Sequence, residues 1–447
     1  MLDKKLLRAD PESVKQGLAR RGEEFAAQVD EFLALDKERR EAQASLDSLR
    51  NAIGTLSKDI GRLIKDGLTD EAEYAKSEVR KYKETLGAEE ASFAELDARE
   101  QQLLLAMPNL THESVPVGGE ECAEVVKEWG EPRGFDFKPL DHVELCQRLR
   151  LVNFEAGARL AGGGFPVMHG QGAVLQRALI NLMLDVHAAE HGYTELRTPF
   201  MVHPRCAVGT GQLPKFGSEM YHVSVEGVPP PGDAPDGPHF YLIPTAEVTI
   251  CNYYRDTILE APALPIKLCA YSPCWRVEAG SYGKEARGLT RVHQFDKVEL
   301  VRIADPEHGW DDLEDLTREA EHILELLELP YRRKVLPTGD MTFGSAKTYD
   351  LEVHCPAEDA WREISSASNT AEYQARRMNL RIRRSKGDKP VFPHLLNASG
   401  TALPRLVIAL IETYQTPAGT VTIPQVLRPY MPRLPELTPQ ENGVPFV

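Results

Sequence analysis

The amino-acid sequence predicts an α+β protein in which a long antiparallel α-helical coiled-coil hairpin precedes an antiparallel β-sheet domain flanked by helices. Two observations lead to this prediction. Within the first hundred residues, apolar side chains recur at alternating steps of three and four, which is the spacing of a coiled-coil seam. After Asp141, strand-like segments alternate with amphipathic helical ones, a pattern typical of hairpin strands packed between helices.

The N-terminal helices are predicted from capping signals and apolar periodicity. Asp10, Pro11 and Glu12 provide an N-cap, a first-turn proline and an early acidic residue, so a short helix begins there. Two longer helices are expected over about residues 26–105, with a reversal in the polar break at 65–70. Their seam positions are Phe32, Leu35, Arg39, Ala42, Leu46, Leu49, Ile53, Leu56, Ile60 and Leu63, then Ala72, Ala75, Val79, Tyr82, Leu86, Glu89, Phe93, Leu96, Glu100 and Leu103.

A heptad seam is also compatible with a coiled coil that joins two chains. The break at 65–70 favours the intramolecular hairpin, because it is long enough for the chain to reverse. Around the tip, residues 50–83 carry 8 basic and 6 acidic side chains, although the whole chain has a net charge of −16. This local balance indicates either a solvated helical surface or contact with a phosphate-bearing partner.

Shifts in composition predict the domain organisation. We expect the helical domain at 1–108, a linker rich in proline and glycine at 109–135, a large globular domain at 136–432 and a poorly ordered tail at 433–447. Residues 227–238 contain five prolines and three glycines, which predicts a surface loop of unassigned role. In the globular domain, helices are expected at about 172–191, 306–328 and 404–415, and strands at 193–199, 240–243, 298–302 and 349–353.

The composition excludes several classes of protein. The 52 Lys and Arg residues are outnumbered by 68 Asp and Glu, so the surface as a whole cannot hold nucleic acid by bulk charge. The longest apolar run, 406–411, is far shorter than the about 20 residues of a membrane span, and the N-terminus has no signal-peptide core. The 7 cysteines form no CxxC pair, which favours reduced thiols and a cytoplasmic location.

Residues 274–299 carry the strongest chemical signal. They read as a strand, a glycine-bearing basic loop and a second strand, with arginines at both ends of the loop. Guanidinium groups bind phosphate or carboxylate in a bidentate manner, and a hairpin can bring them opposite each other. By itself, a basic hairpin is more often a solvated turn than a site. The common phosphate-binding loops, GxxxxGK[ST] and GxGxxG, are absent.

Five segments together resemble motifs of the seryl-tRNA synthetases, a family of class II aminoacyl-tRNA synthetases. Residues 274–299 resemble motif 2 in the form RxEAG…RGLxRVHQFxKVE, and 396–405 resemble motif 3. Thr198-Pro199 lies where motif 1 has its proline. Residues 245–247 are similar to the serine-binding TAE segment, and 363–377 to the EISS…SN…QARR segment. The resemblance extends over nearly the whole chain.

The resemblance implies a class II catalytic domain at 136–432, a tRNA-binding arm at 1–108 and the following site. The catalytic residues would be Arg276, which binds the α-phosphate of ATP, Arg405, which holds the γ-phosphate, and Glu363. The ATP-binding residues would be Arg276, Val277, Glu278, Val292, Phe295, Glu363, Ile364, Ser365, Ser366 and Arg405, with Phe295 stacked on adenine. The serine-binding residues would be Thr245, Ala246, Glu247, Arg276, Glu299 and Ser399. Mg²⁺ would be coordinated by Glu363 and Ser366, an oxygen-only set suited to a hard cation.

The implied activity is the ATP-dependent conversion of L-serine to seryl-adenylate and its transfer to the 3′ end of tRNA(Ser), and of tRNA(Sec) if the source has one. The arm would contact the long variable arm of the tRNA by shape and backbone, and motif 1 would join two chains into a homodimer. Two alternatives stay open. A synthetase-like enzyme that loads a small amino acid onto a carrier protein would lack the arm. An inactive paralogue acting as a coiled-coil scaffold would be expected to lose Arg276, Glu299, Glu363 or Arg405.

The sequence departs from the usual motifs in three places. Motif 3 usually reads LNGSGLAVGR, and this chain differs at Ala398, Thr401 and Pro404. Ala398 would add a methyl group beside the substrate, and Pro404 would remove a backbone N–H at the start of the next helix. Residues 367–370 replace CSNC, and 282–287 replace AGRDTR. None of these departures removes a charged group with an implied role.

Overall fold

The computed structural model describes residues 1–227, 239–260, 264–278 and 287–439. Internal contacts divide the chain into two compact units, Leu2–Pro108 and Asn109–Val447. The first unit contains four helices: α1 (Lys4–Ala9), α2 (Pro11–Ala19), α3 (Glu23–Lys65) and α4 (Thr69–Ala106). As predicted, Asp10 caps α2, because its carboxylate accepts a hydrogen bond from the backbone N–H of Ser13 at 3.2 Å.

Helices α3 and α4 form the predicted antiparallel hairpin. Three ion pairs connect them: Arg39 with Asp97 at 2.6 Å, Arg39 with Glu100 at 3.5 Å, and Arg50 with Glu90 at 2.9 Å. With 43 and 38 residues at about 1.5 Å each, the helices are about 60 Å long. The alternating spacing of three and four therefore predicts the pairing correctly, because it places one apolar stripe of each helix against the other.

The reversal between the two helices is tighter than the polar break at 65–70. Only Asp66–Leu68 separate α3 from α4, and Gly67 has a φ of 74°, in the left-handed region that closes many helix ends. Burial along the seam is uneven: Phe32, Leu46, Ala72 and Ala75 are buried, whereas the seam residues at 49–63 and 79–93 are half-buried. The middle of the hairpin thus buries its seam less completely than the base does, and two small alanines are buried near the tip.

The second unit contains eight helices and seventeen strands within the described residues. The helices are α5 (His142–Leu149), α6 (Phe154–Ala161), α7 (Gln171–Ala189), α8 (Pro204–Thr210), α9 (Glu247–Cys251), α10 (Gly309–Leu326), α11 (Tyr373–Met378) and α12 (Leu403–Thr413). The strands are β1 (Glu124–Trp129), β2 (Val152–Asn153), β3 (Val167–Met168), β4 (Thr194–Glu195), β5 (Met201–Val202), β6 (His222–Val223), β7 (Phe240–Leu242), β8 (Ile258–Glu260), β9 (Ile266–Trp275), β10 (Gln294–Ala304), β11 (Tyr331–Val335), β12 (Lys347–Cys355), β13 (Ala360–Asn369), β14 (Arg381–Arg383), β15 (His394–Ala402), β16 (Val421–Thr422) and β17 (Glu436–Leu437).

Eight of these strands form one sheet in the order β1-β11-β12-β13-β15-β10-β9-β4. Every neighbouring pair is antiparallel except β4 with β9. The predicted α+β class with an antiparallel sheet is confirmed. The three predicted helices correspond to α7, α10 and α12, whereas the strand predicted at 193–199 is reduced to Thr194–Glu195.

Two segments next to the predicted domain boundaries contain strands that the sequence did not predict. The segment 109–135, expected to be a linker, contains β1, which pairs with β11 at the edge of the main sheet. In the tail at 433–447, β17 pairs with β16, and residues 440–447 lie outside the described residues. Both strands are short and flanked by proline and glycine, so local composition alone indicates a loop there. The loop at 228–238 and the motif 2 departures at 282–286 lie outside the described residues.

Strand β10 shows how the sheet separates its core from the candidate site. Val298 and Leu300 pack into the large apolar core with α7, α10 and α12, while Val301 and Ile303 pack on the other face with α9 and α11. Because side chains alternate along a strand, Phe295, Lys297 and Glu299 share that second face. In the described part of the chain, every helix is too short or too polar to span a lipid bilayer.

Candidate active site

A cavity of about 200 Å³ gathers residues from the ends of β9 and β10, from β13 and β15, and from the start of α12. Eight of the predicted site residues line it: Arg276, Glu278, Val292, Phe295, Glu363, Ile364, Ser399 and Arg405. The other seven do not: Thr245, Ala246, Glu247, Val277, Glu299, Ser365 and Ser366. Lys297, which no part of the sequence argument singled out, also lines the cavity.

Arg276 and Phe295 form one wall of the cavity. The Arg276 guanidinium lies over the Phe295 ring, 5.2 Å from its centroid, and its Nε donates to the Pro244 carbonyl at 3.4 Å. The backbone N–H of Arg276 donates to the His293 carbonyl at 2.9 Å, which continues the pairing of β9 and β10. An exposed cation next to an aromatic face is an arrangement suited to a ligand that has both a flat ring and a phosphate.

Arg405 forms the opposite wall, in the first turn of α12. Its Nη1 donates to the Glu363 carbonyl at 2.8 Å and to the Glu363 carboxylate at 3.2 Å, and its Nε donates to the Thr290 carbonyl at 3.3 Å. Pro404 precedes it within that first turn, where a missing N–H costs no helical hydrogen bond. The proline therefore leaves the start of α12 intact.

Ala398 does not lie beside the cavity, where its methyl group was expected from the sequence. Its methyl group is fully buried and belongs to the core shared with α7, α10 and α12. Thr401 points the same way, and its hydroxyl donates to the Met183 sulfur at 3.1 Å. The prediction that Ala398 adds a methyl beside the substrate is wrong, because strand alternation turns this position away from the cavity.

Glu363 and Ser366 share a face of β13 because of a β-bulge. Leu351 pairs with Ser365 and Glu352 pairs with Glu363, so β13 has one extra residue, Ile364, at this point. In a regular strand, residues three apart point to opposite faces, and the extra residue restores them to one face. Ser365 takes the other face, where its buried hydroxyl donates to the Ser399 carbonyl.

Asp350 lies beside Glu363 and Ser366, and these three side chains form an oxygen cluster. Asp350 was not identified from the sequence. It pairs with Ser366 across β12 and β13. Burial and then the Glu363 carboxylate raise the pKa of Asp350 well above its ordinary value, while a hydrogen bond with Ser366 opposes the shift. Its buried Oδ1 has no hydrogen-bond partner among the described residues. Spacing along the chain gives no sign of this contact, because Asp350 comes from the neighbouring strand.

Glu247 begins α9 and is held by two amides. Gln374 Nε2 donates to its Oε1 at 2.6 Å, and Asn397 Nδ2 donates to the same oxygen at 3.1 Å. Burial, followed by repulsion from the Glu299 carboxylate, raises the pKa of Glu247 to about 7. Both amides belong to segments that resembled family motifs, but only the fold shows that they orient this carboxylate.

Glu299 faces Ser399 across β10 and β15. The register shifts between Val298 and Glu299, so Gly400 is an extra residue in β15. A Cβ atom on Gly400 would lie 3.2 Å from both the Val298 carbonyl oxygen and His187 Nε2, so a larger residue would crowd the bulge. Burial raises the pKa of Glu299 above its ordinary value, and the Lys297 ammonium and Thr245 hydroxyl oppose that shift.

Of the remaining predicted residues, Val277 contributes its backbone, Ala246 packs in the core and Glu278 forms an ion pair. The backbone N–H of Val277 donates to the Glu219 carbonyl at 3.1 Å, and Ala246 is fully buried before α9. Glu278 has a φ of 50° and accepts a hydrogen bond from Arg291 Nε at 2.6 Å. The last pair extends the basic end of the hairpin that the sequence identified.

These features can serve one kind of chemistry. Two guanidinium groups, an aromatic ring and the Glu363 carboxylate line one cavity, and the half-buried Glu247 and buried Glu299 carboxylates adjoin it. Such an arrangement holds a nucleoside triphosphate by charge and stacking beside a small cationic substrate, with no protein nucleophile required. With its antiparallel sheet, its arginine-bearing strand hairpin and a second arginine at the start of α12, the larger unit is the catalytic core of a class II aminoacyl-tRNA synthetase.

Comparisons with known proteins identify the family. Residues 1–111 match the seryl-tRNA synthetase N-terminal domain, and residues 232–414 match the tRNA synthetase class II core domain of the G, H, P, S and T enzymes. The serine–tRNA ligase of Syntrophomonas wolfei is 46% identical over 442 residues, which cover 99% of this chain and 100% of that protein. The chain therefore belongs to the seryl-tRNA synthetase family, as its motifs predicted.

Solved structures agree with this assignment. A seryl-tRNA synthetase from Pyrococcus horikoshii complexed with ATP aligns with a TM-score of 0.87 at 34% identity, covering 99% of this chain and 100% of that one. A cytoplasmic serine–tRNA ligase from Naegleria fowleri in complex with AMP aligns with a TM-score of 0.82 at 28% identity, covering 99% of each chain. Both alignments extend over the helical unit as well as the sheet.

Proposed function

We propose that this protein activates L-serine with ATP and transfers it to the 3′ end of tRNA(Ser). In the first step, a serine carboxylate oxygen bonds to the α-phosphorus of ATP and the bond to pyrophosphate breaks. In the second, the terminal ribose hydroxyl of the tRNA bonds to the carbonyl carbon, AMP leaves and the hydroxyl proton is lost. The observation that carries the proposal is the single cavity in which Arg276, Phe295 and Arg405 face the oxygen cluster of Glu363, with Glu247 and Glu299 beside it.

Arg276, Phe295 and Arg405 are proposed to bind ATP. The adenine stacks on Phe295, near Glu278 and the backbone of Val292. Arg276, above the same ring, contacts the α-phosphate, and Arg405 contacts the γ-phosphate. Both cations are already held by protein acceptors, so they need little reorganisation as charge develops on the phosphoryl oxygens.

The oxygen cluster fits a magnesium ion held partly by phosphate. The described residues contain no group of three or more His, Cys, Asp or Glu side chains arranged to hold a metal. Mg²⁺ usually takes one or two protein carboxylates together with substrate phosphates and water, so this sparse set is suitable. Glu363 and Ser366 would hold the ion, with the unpartnered oxygen of Asp350 behind them. When bound, Mg²⁺ neutralises phosphate charge.

The serine pocket is proposed to lie between Glu247 and Glu299. Glu247 and Thr245 take the substrate ammonium, while Glu299 and Ser399 face the side-chain hydroxyl. A pocket that hydrogen-bonds a hydroxyl rejects alanine, because alanine leaves buried polar groups without a partner.

We further propose that the helical unit, 1–108, binds the tRNA, that the protein also charges tRNA(Sec), and that it acts as a cytoplasmic homodimer. Strand β4 supports the dimer proposal: it is an edge strand of the main sheet, and both of its residues, Thr194 and Glu195, are exposed. An edge strand with unpaired backbone groups can pair with a second copy.

The test is a pair of assays on the full chain. We expect serine-dependent ATP–pyrophosphate exchange and, separately, charging of tRNA(Ser) within a panel of tRNAs that includes tRNA(Sec). Absence of exchange would mean an inactive scaffold. Exchange with serine but charging of none of the tRNAs would instead favour transfer to a carrier protein.

The Glu247→Gln variant is expected to lose activity and gain stability. The glutamine lacks the charge that takes the serine ammonium, so kcat/KM for serine should fall by about 100-fold at pH 8. The pKa of Glu247, about 7, is raised in the folded state, so its contribution to stability is present below pH 4.5 and lost as the pH rises through 7. The variant should therefore unfold with a free energy about 1–2 kcal/mol higher at pH 8 than the wild type, with no gain at pH 4.5.

Denaturant unfolding and exchange kinetics at the two pH values check this prediction. In the wild type, kcat/KM for serine should decline as the pH falls below about 7, because the carboxylate takes up a proton. Glu358→Gln, at an exposed carboxylate paired with Arg362, is the matched control and should change neither quantity. Equal stability of Glu247→Gln and wild type at pH 8 would contradict the argument.

A further inference from the structure

Lys297 is a buried cation on β10, between Phe295 of the proposed ATP site and Glu299 of the proposed serine pocket. It follows Phe295 by two residues and precedes Glu299 by two, so all three lie on one face of β10. Along the strand, Lys297 is about 7 Å from each of the other two. Its side chain is only 6% exposed, and its ammonium forms an ion pair with the Glu299 carboxylate. It also lines the cavity. A lysine buried to this degree requires a partner, and this partner adjoins the serine pocket.

Without a counter-charge, the serine pocket would contain two neighbouring carboxylates, Glu299 buried and Glu247 half-buried. Glu299 is 2% exposed and Glu247 is close enough to repel it. Two neighbouring carboxylates that are shielded from water favour protonation of one of them. The other groups that act on Glu299 are the Arg276 guanidinium, the Thr245 hydroxyl, and the thiols of Cys251 and Cys274. Of the two cations, Arg276 is exposed and is already engaged with Phe295 and Pro244.

We propose that Lys297 is a positioning residue for serine selection: it keeps the Glu299 carboxylate ionised and fixed so that this carboxylate accepts the hydroxyl of the substrate serine. The inference rests on the proposed assignment of Glu299 to the serine side chain. It gives Lys297 no direct contact with ATP, although Lys297 lines the cavity proposed to hold ATP. Its ammonium instead acts through one carboxylate oxygen.

The Lys297→Met variant keeps much of the apolar stem and removes the charge. At pH 7 we expect KM for serine to rise by about tenfold or more, because each unit of pKa increase at Glu299 removes a factor of ten in its ionised form. KM for ATP should stay within about twofold. Raising the pH to 9 should recover much of the loss, as Glu299 ionises again. Discrimination between serine and alanine in pyrophosphate exchange should fall.

Two further variants separate positioning from packing. Lys297→Arg keeps the charge and should retain the wild-type pH profile. In the Glu299→Gln background, Lys297→Met should add no further increase in KM for serine, because the carboxylate that pairs with Lys297 is already replaced by a neutral amide. Lys267→Met, which breaks an ion pair with Glu319 at 3.0 Å elsewhere in the same sheet, is the matched control and should leave both KM values unchanged.

The outcomes are distinct. A fall in kcat with a rise in KM for ATP and an unchanged KM for serine would assign Lys297 to the phosphates and overturn the proposal. Additive effects of Lys297→Met and Glu299→Gln would also overturn it. If Lys297→Met does not fold, the pH profile of Lys297→Arg decides, since a shift away from the wild type would contradict a role that depends on charge. Failure of the wild type to show serine-dependent exchange would refute the proposed function itself, before any variant is compared.

Discussion

Replacing Arg276 with alanine is expected to reduce serine-dependent ATP–pyrophosphate exchange by about 10³-fold or more. The guanidinium extends beside the Phe295 ring and is already hydrogen-bonded to the Pro244 carbonyl, so it is oriented before ATP binds. Removing one preoriented donor from a site of developing charge typically costs 10²- to 10³-fold, and removing an arginine from a phosphoryl-transfer site costs more, about 10³- to 10⁵-fold. The loss should appear mainly in kcat.

Two further variants serve as comparisons for the Arg276→Ala experiment. Arg276→Lys restores a charge without the planar fork and should recover only part of the rate. Arg384→Ala removes an arginine that pairs with Asp305 and Glu307 on the surface, and its exchange rate should stay within about twofold of the wild type. If Arg276→Ala kept a tenth of the wild-type rate, the α-phosphate role would be wrong.

Shortening the helical hairpin is expected to abolish most tRNA charging while leaving serine activation intact. The ion pair between Arg50 and Glu90 marks a natural boundary, since the more distal seam residues are half-buried apart from Ala72 and Ala75. Replacing residues 51–89 with a short glycine-rich turn would retain this pair and that of Arg39 with Asp97. It would remove the tip, including Lys58, Arg62 and Lys65.

Charging of tRNA(Ser) by this shortened protein should lose at least about 100-fold in kcat/KM, equivalent to about 2.7 kcal/mol of binding. Exchange should change by less than about threefold, because the catalytic unit begins at Asn109 and has its own core. A full-length variant with Lys58, Arg62 and Lys65 changed to glutamine separates charge from shape: it should weaken charging and reduce its dependence on salt. Equal losses of exchange and charging would show that the hairpin is a structural element only.

Lys297 and Asp350 show where sequence patterns stop being informative about a site. Both are charged residues inside strands, where a single sequence offers no reason to prefer them to a surface position. Lys297 becomes notable only because Phe295 and Glu299 lie on the same face of β10 and Glu247 approaches from α9. Asp350 becomes notable only because β12 pairs with β13. Contacts between elements distant in the chain are decided by packing, which no local pattern records.

Local patterns in the sequence are sufficient to predict the helical hairpin, the α+β class and the motifs that carry the chemistry. These features depend on local physics: a period of three and four residues builds one helical stripe, and capping residues start helices wherever they occur. The order of the motifs along the chain was enough to indicate a class II synthetase. The motifs also contain the residue types that the chemistry needs: arginines with a planar charge and side chains with hard oxygen atoms.

Which of those residues meet, and on which face of the sheet, depends on how the strands pair and pack. The bulges at Ile364 and Gly400 change the alternation of β13 and β15, so that Glu363 joins Ser366 and Ser399 faces Glu299. Ala398, one residue before Ser399, points into the core instead. A single extra residue in a strand reverses the direction of every side chain beyond it, and whether that residue is accommodated depends on the partner strand. That dependence on a distant strand is why the sequence could identify the residues of this site but not their arrangement.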